Sequence, residues 1–149
     1  MKRQKYEEVL GKVTLLCNGE EDHIAIMSTV SCEVFHAFEY INWVGFYRVV
    51  GTKTLKVGPY QGGHGCLEIA YDRGICGKCA REKRVQLVED VSKVDFHIAC
   101  SSETKSEIVL PVISKDCKLI AVFDLDSVEK KSFDDIDVKY LTQLISIFE

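Results

Sequence analysis

The sequence predicts an α+β fold: an antiparallel sheet with helices packed on its faces. Three features carry that expectation. Two amphipathic helical stretches open the chain, two pairs of strand-like segments are joined by tight turns, and an amphipathic helix closes it. Strands joined by such short turns pair antiparallel, whereas parallel neighbours need a crossover of about a dozen residues or more. At 149 residues, with 46% hydrophobic and 28% charged residues, the chain is expected to be one domain, residues 1–149, with its own core.

From the start, Tyr6, Val9, Leu10, Val13 and Leu16 recur at helical spacing over Lys2 to Leu16, and Asn18-Gly19 ends that helix. Asp22 is a candidate N-cap for a second helix with the stripe Ile26, Met27, Val30, Val34, Ala37 and Phe38. Cys17 and Cys32 lie in or beside these helices and read as buried structural thiols. Asn42 to Val50 and Thr54 to Tyr60 flank Gly51-Thr52-Lys53 as a hairpin. Alternation puts Trp43, Gly45 and Tyr47 on one face, an aromatic wall with room beside the glycine, and Val44 and Phe46 on the other. The plainer reading of the two rings is core packing.

Short elements follow: a strand at Cys66 to Ala70, a helix at Gly74 to Glu82 and a strand at Val85 to Val88. Residues Asp90 to Ser106 read as a long surface loop, and loops of that length in a compact domain are usually functional. Glu107 to Ser114 and Lys118 to Asp126 form a second hairpin about Lys115-Asp116-Cys117. The latter strand carries Leu119, Ala121, Phe123 and Leu125 on one face and Ile120, Val122, Asp124 and Asp126 on the other. Its two apolar faces predict a covered central strand, in which Asp124 and Asp126 need partners, a cavity or a wet strand end. A helix over Phe133 to Phe148, capped by Ser132 or Asp134, ends the chain.

A net charge of −4 without a basic cluster gives no support for nucleic-acid binding. MKRQKYEEVL lacks the apolar run of a signal peptide and no stretch reaches membrane length, so a cytoplasmic location with reduced thiols is expected. Six of the ten glycines fall between Gly58 and Gly77, around Cys66, Cys76 and Cys79, where loops move and ligands arrive. Several chemistries suit these thiols. Cys66, Cys76, Cys79 and Cys100 could ligate zinc, but only one CxxC is present where zinc sites usually have two. Cys76-Gly77-Lys78-Cys79 could be a redox CxxC, although no βαβ pattern surrounds it. His97 and Cys100 could form a hydrolytic pair, or His97 could be a plain surface residue. Thiol redox chemistry with a nucleophile and resolving cysteines leads among these, with no metal and no cofactor called for.

At this point the sequence resembles a known family, the GAF-domain free methionine-(R)-sulfoxide reductases. The resemblance runs from about Ile41 to Phe148 through NWVGFY (42–47), GPYQGGHGC (58–66), RGICG (73–77), VEDV (88–91), HIACSS (97–102), SEIVLP (106–111) and FDLDS (123–127). Each piece is weak alone. In this order, with cysteine spacings of 10 and 24, they are specific. The resemblance implies a GAF domain with a roughly six-stranded antiparallel sheet. It also implies redox roles for Cys66, Cys76 and Cys100, a pocket wall from Trp43 and Tyr47, and substrate-holding carboxylates from Glu107, Asp124 and Asp126. Cys79 and Cys117 stand outside the family's cysteine pattern, and the 115–117 turn is one residue longer than usual.

The implied activity is thiol-dependent reduction of free L-methionine-(R)-sulfoxide through a cysteine sulfenic acid and an intramolecular disulfide. Thioredoxin or a similar dithiol would be the reductant. Within it, Cys100 is expected as nucleophile because HIACSS places it on a loop facing the Glu107 strand, close to the proposed acids, with Cys66 and Cys76 resolving. Exchanged roles for Cys76 and Cys100 are the alternative assignment. The alternative is a GAF module that binds a small ligand without turnover, which the lack of an output domain disfavours. The oligomeric state stays open, a homodimer included.

Overall fold

Six strands form one sheet in the order β3-β2-β1-β6-β5-β4, every neighbouring pair antiparallel. They are β1 (Ile41–Val50), β2 (Thr54–Gly62), β3 (Glu68–Ala70), β4 (Gln86–Val88), β5 (Ser106–Ile113) and β6 (Leu119–Ser127). The helices are α1 (Lys2–Leu16), α2 (His23–Ala37), α3 (Gly74–Glu82) and α4 (Asp135–Ile145). The structure is a computed structural model and describes residues 1–96 and 102–149.

Alternation along the strands sorts their side chains into two cores. Val44, Phe46, Ile108, Leu110, Ala121, Phe123 and Leu125 are buried against Tyr6, Val9 and Val13 of α1, Met27 and Val30 of α2, and Leu141 and Leu144 of α4. On the opposite face Trp43, Tyr47, Leu55, Val109 and Val122 are buried with Ile75, Cys76, Cys79 and Ala80 of α3. The central strands are thus covered on both sides, as their apolar runs predict.

Local chemistry sets the helix ends. Oδ1 of Asp22 accepts hydrogen bonds from the amides of Ile24 (2.8 Å) and Ala25 (3.2 Å), so the predicted cap holds. Of the two candidates for the last helix, Asp134 is the cap, in a reciprocal box with Asp137. That helix is shorter than its periodicity suggests, because Ser146–Phe148 tightens into a 3-10 turn. A 3-10 turn also occupies Val91–Lys93 within the expected long loop.

Two readings need correction. Strict alternation groups Leu119 with Ala121, but a register shift between Val112 and Ile113 pairs Ile113 with Leu119 and Val112 with Ala121. That bulge turns Leu119 toward the α3 side and Ile120 toward the other core. Cys17 is buried as expected, whereas Cys32 is only half-buried and sits beside His36 on the outer surface of α2, with Sγ and Nδ1 3.7 Å apart.

One buried polar group joins the chain's two ends. The Asp137 side chain, fully buried, accepts from Tyr6 Oη (2.6 Å), Lys2 Nζ (2.6 Å) and the Asp134 amide (2.8 Å). Asp137→Ala strands the buried Tyr6 hydroxyl and takes from Lys2 the shortest of its contacts, leaving it the Ser132 carbonyl and Asp134, a loss of about 3 kcal/mol. Thermal unfolding should show Tm lower by roughly 10 °C. A change within the error of the wild type would mean that this link contributes nothing.

Candidate active site

Register alone assembles the acidic cluster. β5 and β6 pair Glu107 with Asp126 and Val109 with Asp124, while β1 on the other flank pairs Trp43 with Asp126 and Gly45 with Asp124. Glu107, Asp124, Asp126, Trp43 and Tyr47 therefore share the α3 side of the sheet. Two carboxylates directly opposite each other destabilise a sheet unless protons or a cationic ligand offset them.

α3 lays its first turn over this patch. Gly74 opens the helix with φ 67°, a left-handed conformation that suits glycine. At Gly77 a Cβ would lie 2.6 Å from the Tyr71 carbonyl oxygen and 2.9 Å from that of Ala70, so only glycine lets the helix dock this closely. Docking carries Cys76 into the acids. Its Sγ and one carboxylate oxygen each of Glu107 and Asp124 lie within 4.8 Å of one another, all three residues buried.

These groups line a cavity of about 170 Å³ together with Trp43, Tyr47, Asp126 and the 63–65 and 103–104 segments. Trp43 stacks on Tyr47 (centroids 5.5 Å apart, planes at 25°) and on Tyr60 (5.2 Å, 20°). Tyr60 is a member that the sequence reading missed. It fills the space left by Gly45, where a Cβ would come 2.3 Å from Tyr60 Cβ, so the room beside the wall is occupied rather than open. Trp43 Nε1 donates to the Gly63 carbonyl (3.0 Å), which fixes both the ring and the glycine-rich turn. A Cβ at Gly65 would reach 2.9 Å from the Tyr47 hydroxyl, so that glycine keeps the cavity's rim clear of the ring.

Burial dominates the electrostatics. Desolvation, then the charge of Asp126, raises the Glu107 carboxyl to about 8, so it holds a proton at neutral pH. Asp124 and Asp126 are pushed well above the usual carboxylate range, first by desolvation and then by their acidic neighbours. A helix's first turn favours a thiolate, yet burial and then the charges of Asp124 and Glu107 push the Cys76 thiol up. Among the described residues Oδ1 of Asp124 is buried without a hydrogen-bond partner.

A stability consequence follows from the sign of the Glu107 shift. Its carboxyl ionises near 4.5 when unfolded and near 8 when folded, so its stabilising protonated form is fully present below pH 4.5 and lost as pH rises through 8. Glu107→Gln should therefore stabilise the substrate-free protein above pH 8, by on the order of 1–3 kcal/mol. Below about pH 4, where the glutamate is neutral in folded and unfolded chains alike, the two proteins should unfold together. Denaturant unfolding at the two pH values checks this, and equal stability at both would refute the shift.

Of the residues singled out from sequence, Cys76, Trp43, Tyr47, Glu107, Asp124 and Asp126 converge on this cavity. Cys66 does not line it. It is disulfide-bonded and sits half-buried in a neighbouring hollow with Glu68, Ile69, Ala70 and Arg73. Cys100 and His97 lie outside the described residues. Cys79 is fully buried without lining the cavity, and Cys117 is exposed at its hairpin tip with φ 59°. Glu103 and Thr104, within the stretch read as surface loop, also line it, as do Asn42, His64, Ile69, Gly74 and Ile75. Asn42 and His64 lie inside the NWVGFY and GPYQGGHGC motifs, whereas Glu103 and Thr104 had only their nearness to SEIVLP as a signal. Among the described residues no helix is long and apolar enough to cross a membrane.

Comparison with known proteins agrees with this architecture. The GAF-domain family profile matches residues 25–148. GAF domain-containing protein A of Dictyostelium discoideum is 40% identical, over 99% of this chain and 92% of its own length. The free methionine-R-sulfoxide reductase of Saccharomyces cerevisiae is 38% identical, over 95% of this chain and 84% of its own. The X-ray structure of free methionine-R-sulfoxide reductase from Neisseria meningitidis, in complex with its substrate, aligns with a TM-score of 0.94 at 36% identity, covering 100% of this chain and 89% of that one.

Proposed function

Because the chain belongs to the GAF-domain free methionine-R-sulfoxide reductase family, we propose that it reduces free L-methionine-(R)-sulfoxide to methionine with thiols as the electron source. The observation that carries this reading is the convergence of a buried thiol, three carboxyl groups and an aromatic wall on one small cavity. Thiol and acid are the two groups that sulfoxide reduction needs, and the wall suits an S-methyl group.

In the proposed reaction a thiolate attacks the sulfoxide sulfur. The oxygen takes a proton as the S–O bond weakens, and Glu107, neutral up to about pH 8, is positioned to supply it. Methionine leaves with its sulfur reduced, and the attacking cysteine becomes a sulfenic acid. A second thiol condenses with that acid, forming a disulfide and releasing water. Exchange with thioredoxin or a similar dithiol protein restores both thiols. Asp124 and Asp126 would meet the substrate ammonium by charge-assisted hydrogen bonds, and Trp43 and Tyr47 would pack the methyl group and exclude water.

Cys100 is proposed as the attacking residue. Cys76, whose thiolate is disfavoured by burial and by the neighbouring acids, is proposed as its resolving partner, and Cys66 as a further resolving thiol. The overall reading is tested with racemic free methionine sulfoxide, dithiothreitol and chiral product analysis. Consumption of the R epimer alone is expected. Equal consumption of both epimers, or of neither, would overturn it.

A further inference from the structure

The cavity's donor set suits a metal cation as well as an ammonium group. Sγ of Cys76 and an oxygen from each of Glu107 and Asp124 already lie within 4.8 Å of one another. Ligand atoms on one tetrahedral zinc ion lie about 3.4–3.6 Å apart, given Zn–S near 2.3 Å and Zn–O near 2.1 Å. A small contraction would close the site. Independently, Asp124, which is 4% exposed and lines the cavity, leaves Oδ1 buried and without a hydrogen bond among the described residues. An atom in that state is satisfied by an incoming donor or cation.

We propose that the reduced, substrate-free protein binds one zinc-class divalent cation through Cys76, Glu107 and Asp124, and that this cation excludes the substrate. A thiolate with two carboxylates selects zinc-like ions over calcium and magnesium, which take oxygen ligands only. On binding, the Cys76 thiol and the two carboxyl groups release their protons to solvent. Three protein ligands leave the fourth position open toward the cavity, where the substrate's ammonium would otherwise sit. Of the CxxC motif only Cys76 serves as a ligand, because Cys79 falls outside this trio. The Cys32–His36 pair on α2 offers two ligands on a surface and serves as the control. The inference deepens the reading of the same cavity, and its test is independent of turnover.

The reduced protein is titrated with Zn²⁺ by calorimetry and with Co²⁺ by absorption, where a thiolate–cobalt bond gives a charge-transfer band. About one ion per chain and such a band are expected. Asp124→Asn or Glu107→Gln should weaken Zn²⁺ binding at least about tenfold. Cys76→Ser should abolish the cobalt band, while Cys79→Ser and Cys32→Ser should keep it. Saturating methionine, a product that cannot oxidise the thiols, should raise the apparent Kd for Zn²⁺. Persistence of the band in Cys76→Ser, its loss in Cys32→Ser, or an affinity unmoved by methionine would overturn the proposal. Circular dichroism checks each variant's fold; should Cys76→Ser fail to fold, unchanged affinity in Asp124→Asn is decisive against it. Zinc binding without sulfoxide reduction would sink the proposed activity alone, and reduction without zinc binding would sink this site alone.

Discussion

Cys100→Ser should release no methionine even in a single turnover, whereas Cys76→Ser should release about one equivalent per chain and then stall. The proposed order of events requires this split. An attacking thiol is needed before any methionine forms, and a resolving thiol only afterwards. Cys76 is poorly placed to ionise unaided, buried against Glu107 and Asp124 with its thiol pKa pushed up. Its place in the cavity proposed to hold the substrate still suits a resolving role. Rapid-quench measurement of methionine, with no recycling reductant present, reads the two variants directly. The opposite pattern, a burst in Cys100→Ser and none in Cys76→Ser, would reverse the two roles.

N-acetyl-methionine sulfoxide should be a very poor substrate. Acetylation removes the ammonium charge and leaves the Asp124–Asp126 region, including the unsatisfied Oδ1 of Asp124, without its cation. Truncating one member of a buried charge pair costs about 2–5 kcal/mol, or roughly 30- to several-thousand-fold in affinity. The acetyl group would also have to fit a cavity of only about 170 Å³. Asp124→Asn should correspondingly weaken catalysis on the free amino acid. Steady-state kinetics on both compounds decides the matter, and comparable kcat/KM for the two would exclude this mode of binding.

The family motifs were legible in one dimension because each records a local demand. FDLDS interrupts an apolar alternation with two acids, NWVGFY sets two aromatics about a glycine, and RGICG opens a helix on glycine. Period-two and period-3.6 patterns, the Asp22 cap and the two tight turns likewise act over a few residues, so the helices, both hairpins and the antiparallel pairing could be read directly.

Long-range contacts decided the rest. Glu107 faces Asp126 through strand register across 19 positions of sequence, and no local pattern encodes that pairing. The use of Gly45 depends on Tyr60 from the neighbouring strand, and that of Gly77 on the Tyr71 carbonyl. A glycine shows that space is needed, but not what fills it. Cys76 and Cys79 look equivalent within a CxxC, yet helix packing sets one against the acids and buries the other behind it. The raised Glu107 pKa has the same origin: desolvation and the charge of Asp126 arise only when β5, β6 and α3 close over the carboxyl group. Composition and periodicity determined which elements form and which residue types carry the chemistry. Only tertiary packing decided which of those residues meet and in which protonation state, because both depend on distance and on the exclusion of water.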